Sequence, residues 1–256
     1  MGRMEGLNKM DLKDIENKDE LLRNIDILMQ EYTNMLKSYA NTPATYKTAA
    51  LLYYWLRDYK SLLRNEKRFK PEMSPDLHRG SIINVNLGYN IGSEQGGLHY
   101  AIVLHDVPRH SDVATIVPLT SLKPNRDINK LRPFEINLGN ELYYQLLGKY
   151  QALNTSIPSE INTLENIIDL LPEDKVEDVQ KRIDDLINKT NMMASVKTKL
   201  NRLKNGSLVL VNQVTTISRA RIVDPRNKYD ILHGVKVSAD SMKLIFAGIS
   251  KFYGMI

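Results

Sequence analysis

Cysteine is absent from this 256-residue chain, and disulfides, thiolate metal sites and cysteine nucleophiles are excluded with it. That absence also agrees with a reducing compartment. Long apolar runs are missing too. The longest, Ala49 to Leu56, is far short of the about 20 residues that span a bilayer. Met1 to Asp14 carries charges throughout and lacks the apolar centre of a secretory signal. A soluble, cytoplasmic protein with no membrane partner is therefore expected. No charge of one sign dominates: the net charge of +5 permits an anionic partner without demanding one. A hydrophobic share of 42% and a charged share of 25% are ordinary for a folded chain, which excludes wholesale disorder.

What is present is a β segment set among helices. From Lys18 to Tyr39, Leu21, Ile25, Leu28, Tyr32, Met35 and Tyr39 recur three and four residues apart, as in an amphipathic helix. Thr42-Pro43 reads as the start of a second helix, to about Asn65. Its tyrosines and lone Trp55 are expected to pack between the two helices; the alternative is stacking on bases beside Arg64, Lys67, Arg68 and Lys70. After Pro71 to Pro75 the period changes to two. Strands are expected at Ser81–Gly88, His99–His105, Val113–Leu119 and Phe134–Leu138, a small and mostly antiparallel β domain.

Helical spacing then returns from 140 to about 205: pieces at Glu141–Leu153 and Ser159–Leu171, and a long third one opened by Pro172. On the third, Val176, Val179, Ile183, Leu186, Met193, Leu200 and Leu203 keep mostly to heptad positions. Asn205-Gly206 is the expected C-cap. Strand character resumes over Ser207–Val214, and a closing helix over Ser238–Gly254 has Ser238 as its N-cap. The chain thus divides into an N-terminal helical region (1–76), a discontinuous β domain (77–139 and 206–256) and a helical insertion (140–205).

The densest polar stretch is Gly92-Ser93-Glu94-Gln95-Gly96-Gly97, between the first two strands. It lacks the lysine and Ser/Thr pair of a P-loop, and a strand rather than a helix follows it, so phosphate binding at a helix N-terminus is unavailable. Its glycines free the backbone, while Ser93, Glu94 and Gln95 offer donors and acceptors. A metal centre is not expected. His99 and His105 share a strand face but lie roughly 20 Å apart at about 3.3 Å per residue. His105 and His110 lack a third ligand.

Arg79-Gly80 with its alternating strand, the Gly92–Gly97 loop and the following strand resemble the start of the MazF/PemK toxin family. The resemblance resumes at Ala114-Thr115-Ile116-Val117-Pro118-Leu119-Thr120 and at Leu208–Ile217. It implies an α+β fold: an SH3-like β-barrel of MazF/CcdB type with a C-terminal helix, to which this chain adds an N-terminal helical hairpin and an inserted helical segment. It further implies a homodimer, a cognate antitoxin, and metal-independent cleavage of single-stranded RNA with no cofactor. RNA carries its own nucleophile, the 2′-hydroxyl, so the protein supplies proton transfer and charge stabilisation.

Thr120 matches the threonine associated with catalysis in that family. His99 stands where the family has arginine, Ser81 where aspartate follows Arg-Gly, and Thr215 and Ser218 where arginine and aspartate are common. Histidine can exchange a proton near neutral pH, whereas arginine only donates. His99 and Thr120 are therefore the expected catalytic pair. Arg79, Ser93, Glu94, Gln95, Lys123, Gln213, Arg219 and Arg221 are the expected RNA-binding residues; Arg126 is a further candidate cation. The alternative is an inactive MazF/CcdB-like module that binds a protein or nucleic acid through the same surface. The insertion is expected to bury its stripe within its own hairpin or on the Lys18–Asn65 pair; the sharper expectation has the insertion and the N-terminal helices extend the dimer or occupy the RNA groove as a built-in antitoxin would.

Overall fold

The structure is a computed structural model, describing residues 14–168, 176–203 and 206–255. The expected helix start at Pro172 and the cap residue Asn205 lie outside the described residues. The chain divides into two compact units, Met1–Ser61 and Leu62–Ile256.

In the first unit, α1 (Lys18–Ala40) follows a short 3-10 turn capped by Asp14, whose carboxylate accepts from Glu16 N at 2.9 Å. A hydrogen-bonded turn leads to α2 (Tyr46–Asn65), which begins three residues later than Pro43. Thr42 holds that turn with its carbonyl, accepting from Tyr46 N at 2.9 Å. The expected aromatic core does not form. No residue of α1 is buried and Ala49 is the buried residue of α2, while Tyr53 and Tyr54 are 59% and 52% exposed. Trp55 instead stacks on Tyr59 of its own helix, ring centres 5.4 Å apart. An i,i+4 pair on one helix satisfies its rings locally, without a facing helix.

The second unit is built on an antiparallel sheet. Alternating side chains give β1 (Ile82–Asn86), β2 (Leu98–Val103) and β3 (Val113–Ser121), then the short β4 (Glu135–Asn137). After two helices come β5 (Ser207–Leu210), β6 (Thr215–Ser218) and β7 (Ile222–Asp224). The strand path is β4-β5-β3-β2-β1-β7, with β6 also paired to β3. Strands from before and after the inserted helices therefore share one sheet. The expected strand Ser207–Val214 breaks at Leu210 into a 3-10 turn, Val211–Gln213. This turn takes Asn212 and Gln213 off the ladder.

The sheet buries both faces, in two apolar clusters. Ile83, Val85, Ala101, Val103, Ala114 and Ile116 belong to one. Ile82, Ile102, Val117, Leu119 and Val209 belong to the other, and there they meet helices α3 (Glu141–Ile168), α4 (Val176–Arg202) and α5 (Ala239–Phe252). α5 starts at the expected Ser238 cap, whose hydroxyl accepts from Ser241 N at 3.2 Å.

α3 is one helix where two pieces are expected. Pro158 removes one backbone bond, at a cost of about 3 kcal/mol, yet Leu142, Leu146, Leu153, Ile157 and Leu164 all remain buried along its length. Burial of each such side chain contributes roughly 1.5–3 kcal/mol, so the continuous apolar stripe prevails. On α4 the deepest residues are Met192 and Val196, beside the expected heptad stripe, because the sheet as well as α3 receives this helix. The insertion thus buries its stripe on the β domain as well as within its own hairpin.

Polar anchors fix this arrangement. The Lys149 ammonium on α3 donates to the carbonyls of Asp230, Ile231 and His233 at 2.9–3.0 Å. Asp185 on α4 accepts from Lys228 Nζ at 2.9 Å and from the Tyr229 hydroxyl at 2.5 Å. These contacts hold its carboxyl well below the usual carboxylate range. Both helices are thereby tied to the 228–233 segment.

Candidate functional site

The loop between β1 and β2 is shaped by its glycines. Gly88 and Gly97 adopt φ of 82° and 80°, a region costly for residues with a Cβ. They close the loop base by Leu87 N to Gly97 O (2.8 Å) and Gly97 N to Gly88 O (2.6 Å). Inside it, Asn90 Nδ2 donates to Gln95 O at 2.7 Å. Gln213, on the turn after β5, grips the loop from outside: its Oε1 accepts from Gln95 N at 3.3 Å and its Nε2 donates to Ser93 O at 3.4 Å.

His99 lies on β2 opposite Val85, half-buried. By strand alternation it falls on the face of Ala101 and Val103, away from the face that receives α3 and α4. Its Nδ1 is 3.2 Å from the Leu119 carbonyl, which can only accept, so in the tautomer that satisfies this contact Nδ1 donates and Nε2 is left to accept. The Gln95 amide nitrogen stands 2.8 Å from Nε2 and 2.9 Å from Nδ1, at the ring edge between them. Gln95 therefore shields this edge of the His99 ring. Thr120, next to Leu119 on β3, is half-buried and pairs with Leu208 of β5.

A polar groove of about 510 Å³ is lined among others by Asn90, Glu94, Gln95, Pro118, Asn212, Gln213, Thr215 and Arg221; His99 and Thr120 are not among its lining residues, and His99 adjoins it through Gln95. Asn212 Oδ1 is buried here without a hydrogen-bond partner among the described residues. Arg221 donates through Nε to Asn86 O at 2.9 Å, and burial holds its guanidinium below its ordinary pKa. The groove thus joins amide donors and acceptors, one carboxylate and one cation beside an imidazole. Among the described residues, α3 and α4 contribute none of its lining.

The structure gathers Ser93, Glu94, Gln95, His99, Gln213 and Arg221 around this loop and groove. Lys123 sits exposed three residues beyond Thr120. Three expected cations are elsewhere or engaged. Arg79 lies at the far end of β1, its guanidinium over the Phe246 ring at 4.4 Å. Arg126 pairs with Glu135 at 2.7 Å. Arg219 is buried, with Nη1 donating to Arg109 O and Ser111 O and Nη2 to Pro75 O, each at 3.1 Å. Its fork holds loops together and does not face the groove. Asn90, Asn212 and Thr215 are groove residues that the sequence reading does not select. Their signal is position: each lies within or beside the glycine-rich loop or the Leu208–Ile217 block. Among the described residues no three His, Asp or Glu side chains converge as a metal ion would require, and no helix is long and apolar enough to cross a membrane.

Residues 78–187 match the family described as PemK-like, MazF-like toxin of type II toxin–antitoxin system. This stretch is a PemK/MazF-like toxin domain, and α1 and α2 lie outside it. The match spans β1 to β4, α3 and the first part of α4. Among solved structures, the crystal structure of MazF (Form-I) from Deinococcus radiodurans is similar over 71% of this chain and 98% of that one, at 16% identity and a TM-score of 0.34. At that score the likeness carries no argument about this chain. No curated protein matches it.

Proposed function

We propose that this protein is a toxin-type endoribonuclease that cuts single-stranded RNA by transesterification at the 2′-hydroxyl. The observation that carries this reading is a half-buried histidine whose ring edge meets the amide of the loop residue Gln95, itself a wall of a polar, cation-bearing groove in a PemK/MazF-like domain. A ribose 2′-hydroxyl takes the place of the Gln95 amide on Nε2 and gives its proton to His99. The 2′-oxygen attacks phosphorus, the P–O5′ bond breaks and the protonated His99 returns its proton to the departing 5′-oxygen, leaving a 2′,3′-cyclic phosphate and a 5′-hydroxyl. The Thr120 hydroxyl donates to a non-bridging oxygen, and Arg221, with Lys123 at the rim, balances the charge that grows in the transition state.

Ser93, Glu94, Gln95 and Gln213 bind the RNA beside the scissile phosphate. The sheet closes as an SH3-like barrel formed by 77–139 with 206–256, two copies form the dimer, and a cognate antitoxin neutralises the groove. Replacing His99 by alanine is expected to abolish cleavage of a mixed RNA while leaving the unfolding midpoint in place. Retained cleavage would remove His99 from the mechanism.

A further inference from the structure

Among the described residues of the first unit, nothing covers the seams that α1 and α2 carry. In α1, Leu21, Ile25, Leu28, Tyr32, Met35 and Tyr39 alternate four and three residues apart. In α2, Ala49, Leu52, Leu56 and Tyr59 alternate three and four apart. Such a pattern suits a helix that faces another helix. Exposure along the seams runs one way. Beside the connecting turn, Met35, Tyr39 and Leu52 are half-buried and Ala49 is buried. Farther out, Leu28 is 59%, Tyr59 46% and Ile25 43% exposed. The two helices meet at the turn and do not pack along their length.

The turn holds them in this arrangement. Thr45 Oγ1 donates to Tyr39 O at 3.0 Å and Thr42 Oγ1 to Ser38 O at 3.1 Å. A seam left open to water gives a single helix of this length little stability.

The charges say what fits. α1 with its leading turn has Asp14, Glu16, Asp19, Glu20, Asp26 and Glu31 against three basic residues. α2 has Lys47, Arg57, Lys60 and Arg64 against Asp58 alone. An acidic and a basic helix in one chain make the pair self-complementary between copies. Their size also suffices. At about 1.5 Å per residue α1 is roughly 34 Å long, and two such helices side by side offer on the order of 800 Å² per partner, a standard interface.

We propose that a second copy of this chain docks here, α1 of each copy lying on α2 of the other in a four-helix seam. This contact is separate from the toxin-like domain and does not depend on the nuclease reading. The cysteine-free sequence permits a clean test. Leu28 and Tyr59 are equally far from the Thr42–Thr45 turn, so the exchanged pairing sets them at one level. Full-length Leu28→Cys and Tyr59→Cys chains, differently tagged, are mixed and oxidised, and Lys47→Cys on the outward face replaces Tyr59→Cys as the control. Proximity is expected to raise the mixed disulfide at least about tenfold over the control, and adding Leu56→Glu to the Tyr59→Cys chain should suppress it. If the helices close on themselves, a single chain carrying both Leu28→Cys and Tyr59→Cys links within one monomer and the mixture gives no product. If copies associate only through the β domain, or a different protein covers the seam, the mixture again gives none. Either result overturns the proposal.

Discussion

Arg219 and Arg221 are two residues apart in sequence, equally basic, and assigned opposite work by the structure. Arg219→Met keeps the length of the aliphatic stem and deletes the guanidinium. Three hydrogen bonds to the carbonyls of Arg109, Ser111 and Pro75 are lost. Charge-assisted bonds contribute roughly 1.5–3 kcal/mol each, about 5–9 kcal/mol gross. Against this stands the cost of burying a cation that has no carboxylate in direct contact, which is several kcal/mol and is seen in the lowered pKa of Arg219. The net loss expected is about 3 kcal/mol, roughly two decades in the folding equilibrium. With a urea slope of about 2 kcal/mol per molar, the midpoint falls by about 1.5 M.

Equilibrium unfolding in urea, followed by circular dichroism, reads this directly. Arg221→Met loses the bond to Asn86 O and should cost about 1–2 kcal/mol, less than Arg219→Met, while it weakens binding of a short RNA about tenfold at low salt. A midpoint shift below about 0.3 M for Arg219→Met would refute the reasoning. So would equal losses of RNA affinity in the two variants at full folding.

Two other perturbations probe the loop and the insertion. A Cβ at Gly96 would stand 2.9 Å from the Gly88 carbonyl oxygen and 3.2 Å from Asn90 N, both backbone. Gly96→Ala should therefore displace the loop, cost about 1–2 kcal/mol, and shift the His99 ring signals in an NMR spectrum as Gln95 leaves the ring edge; unchanged ring signals would contradict that contact. Lys149 gives a pH dependence of unusual sign. Burial lowers its pKa from 10.5 to about 8 in the folded protein, so between those values the unfolded chain holds more protons and the Lys149 contribution to stability rises with pH. The urea midpoint of wild type minus that of Lys149→Met should therefore climb from pH 8 to 10; a flat or falling difference would contradict the burial.

The local features of this fold were legible because short-range rules decide them. Period-two alternation located β1 to β3, Ser238 marked the start of α5, and the glycine-rich loop marked one wall of the groove. Other features depend on partners distant in sequence. The carbonyls that engage Arg219 lie more than a hundred residues away, so its basic neighbourhood gave no sign of burial. The run Val209-Leu210-Val211 reads as uninterrupted strand, yet the chain turns at Val211 and delivers Gln213 to the loop. A break is expected between Leu153 and Ser159, and continuous burial along α3 overrides it. The aromatic residues of α2 show the opposite failure: their spacing suits a core, but Tyr53, Tyr54 and Tyr59 stay exposed. The position of His99 on β2, next to the glycine-rich loop, is legible because strand and loop are both local features.

The central claim is proton transfer by His99 to and from RNA without a metal. The most direct test is incubation of the full chain with a mixed single-stranded RNA in excess chelator, followed by mapping of both new ends. Discrete cuts bearing 2′,3′-cyclic phosphate and 5′-hydroxyl ends, and blocked by a 2′-deoxy substitution at the cut nucleotide, are the predicted result. No cleavage by the folded protein, or cuts that leave 3′-hydroxyl and 5′-phosphate ends, would contradict it.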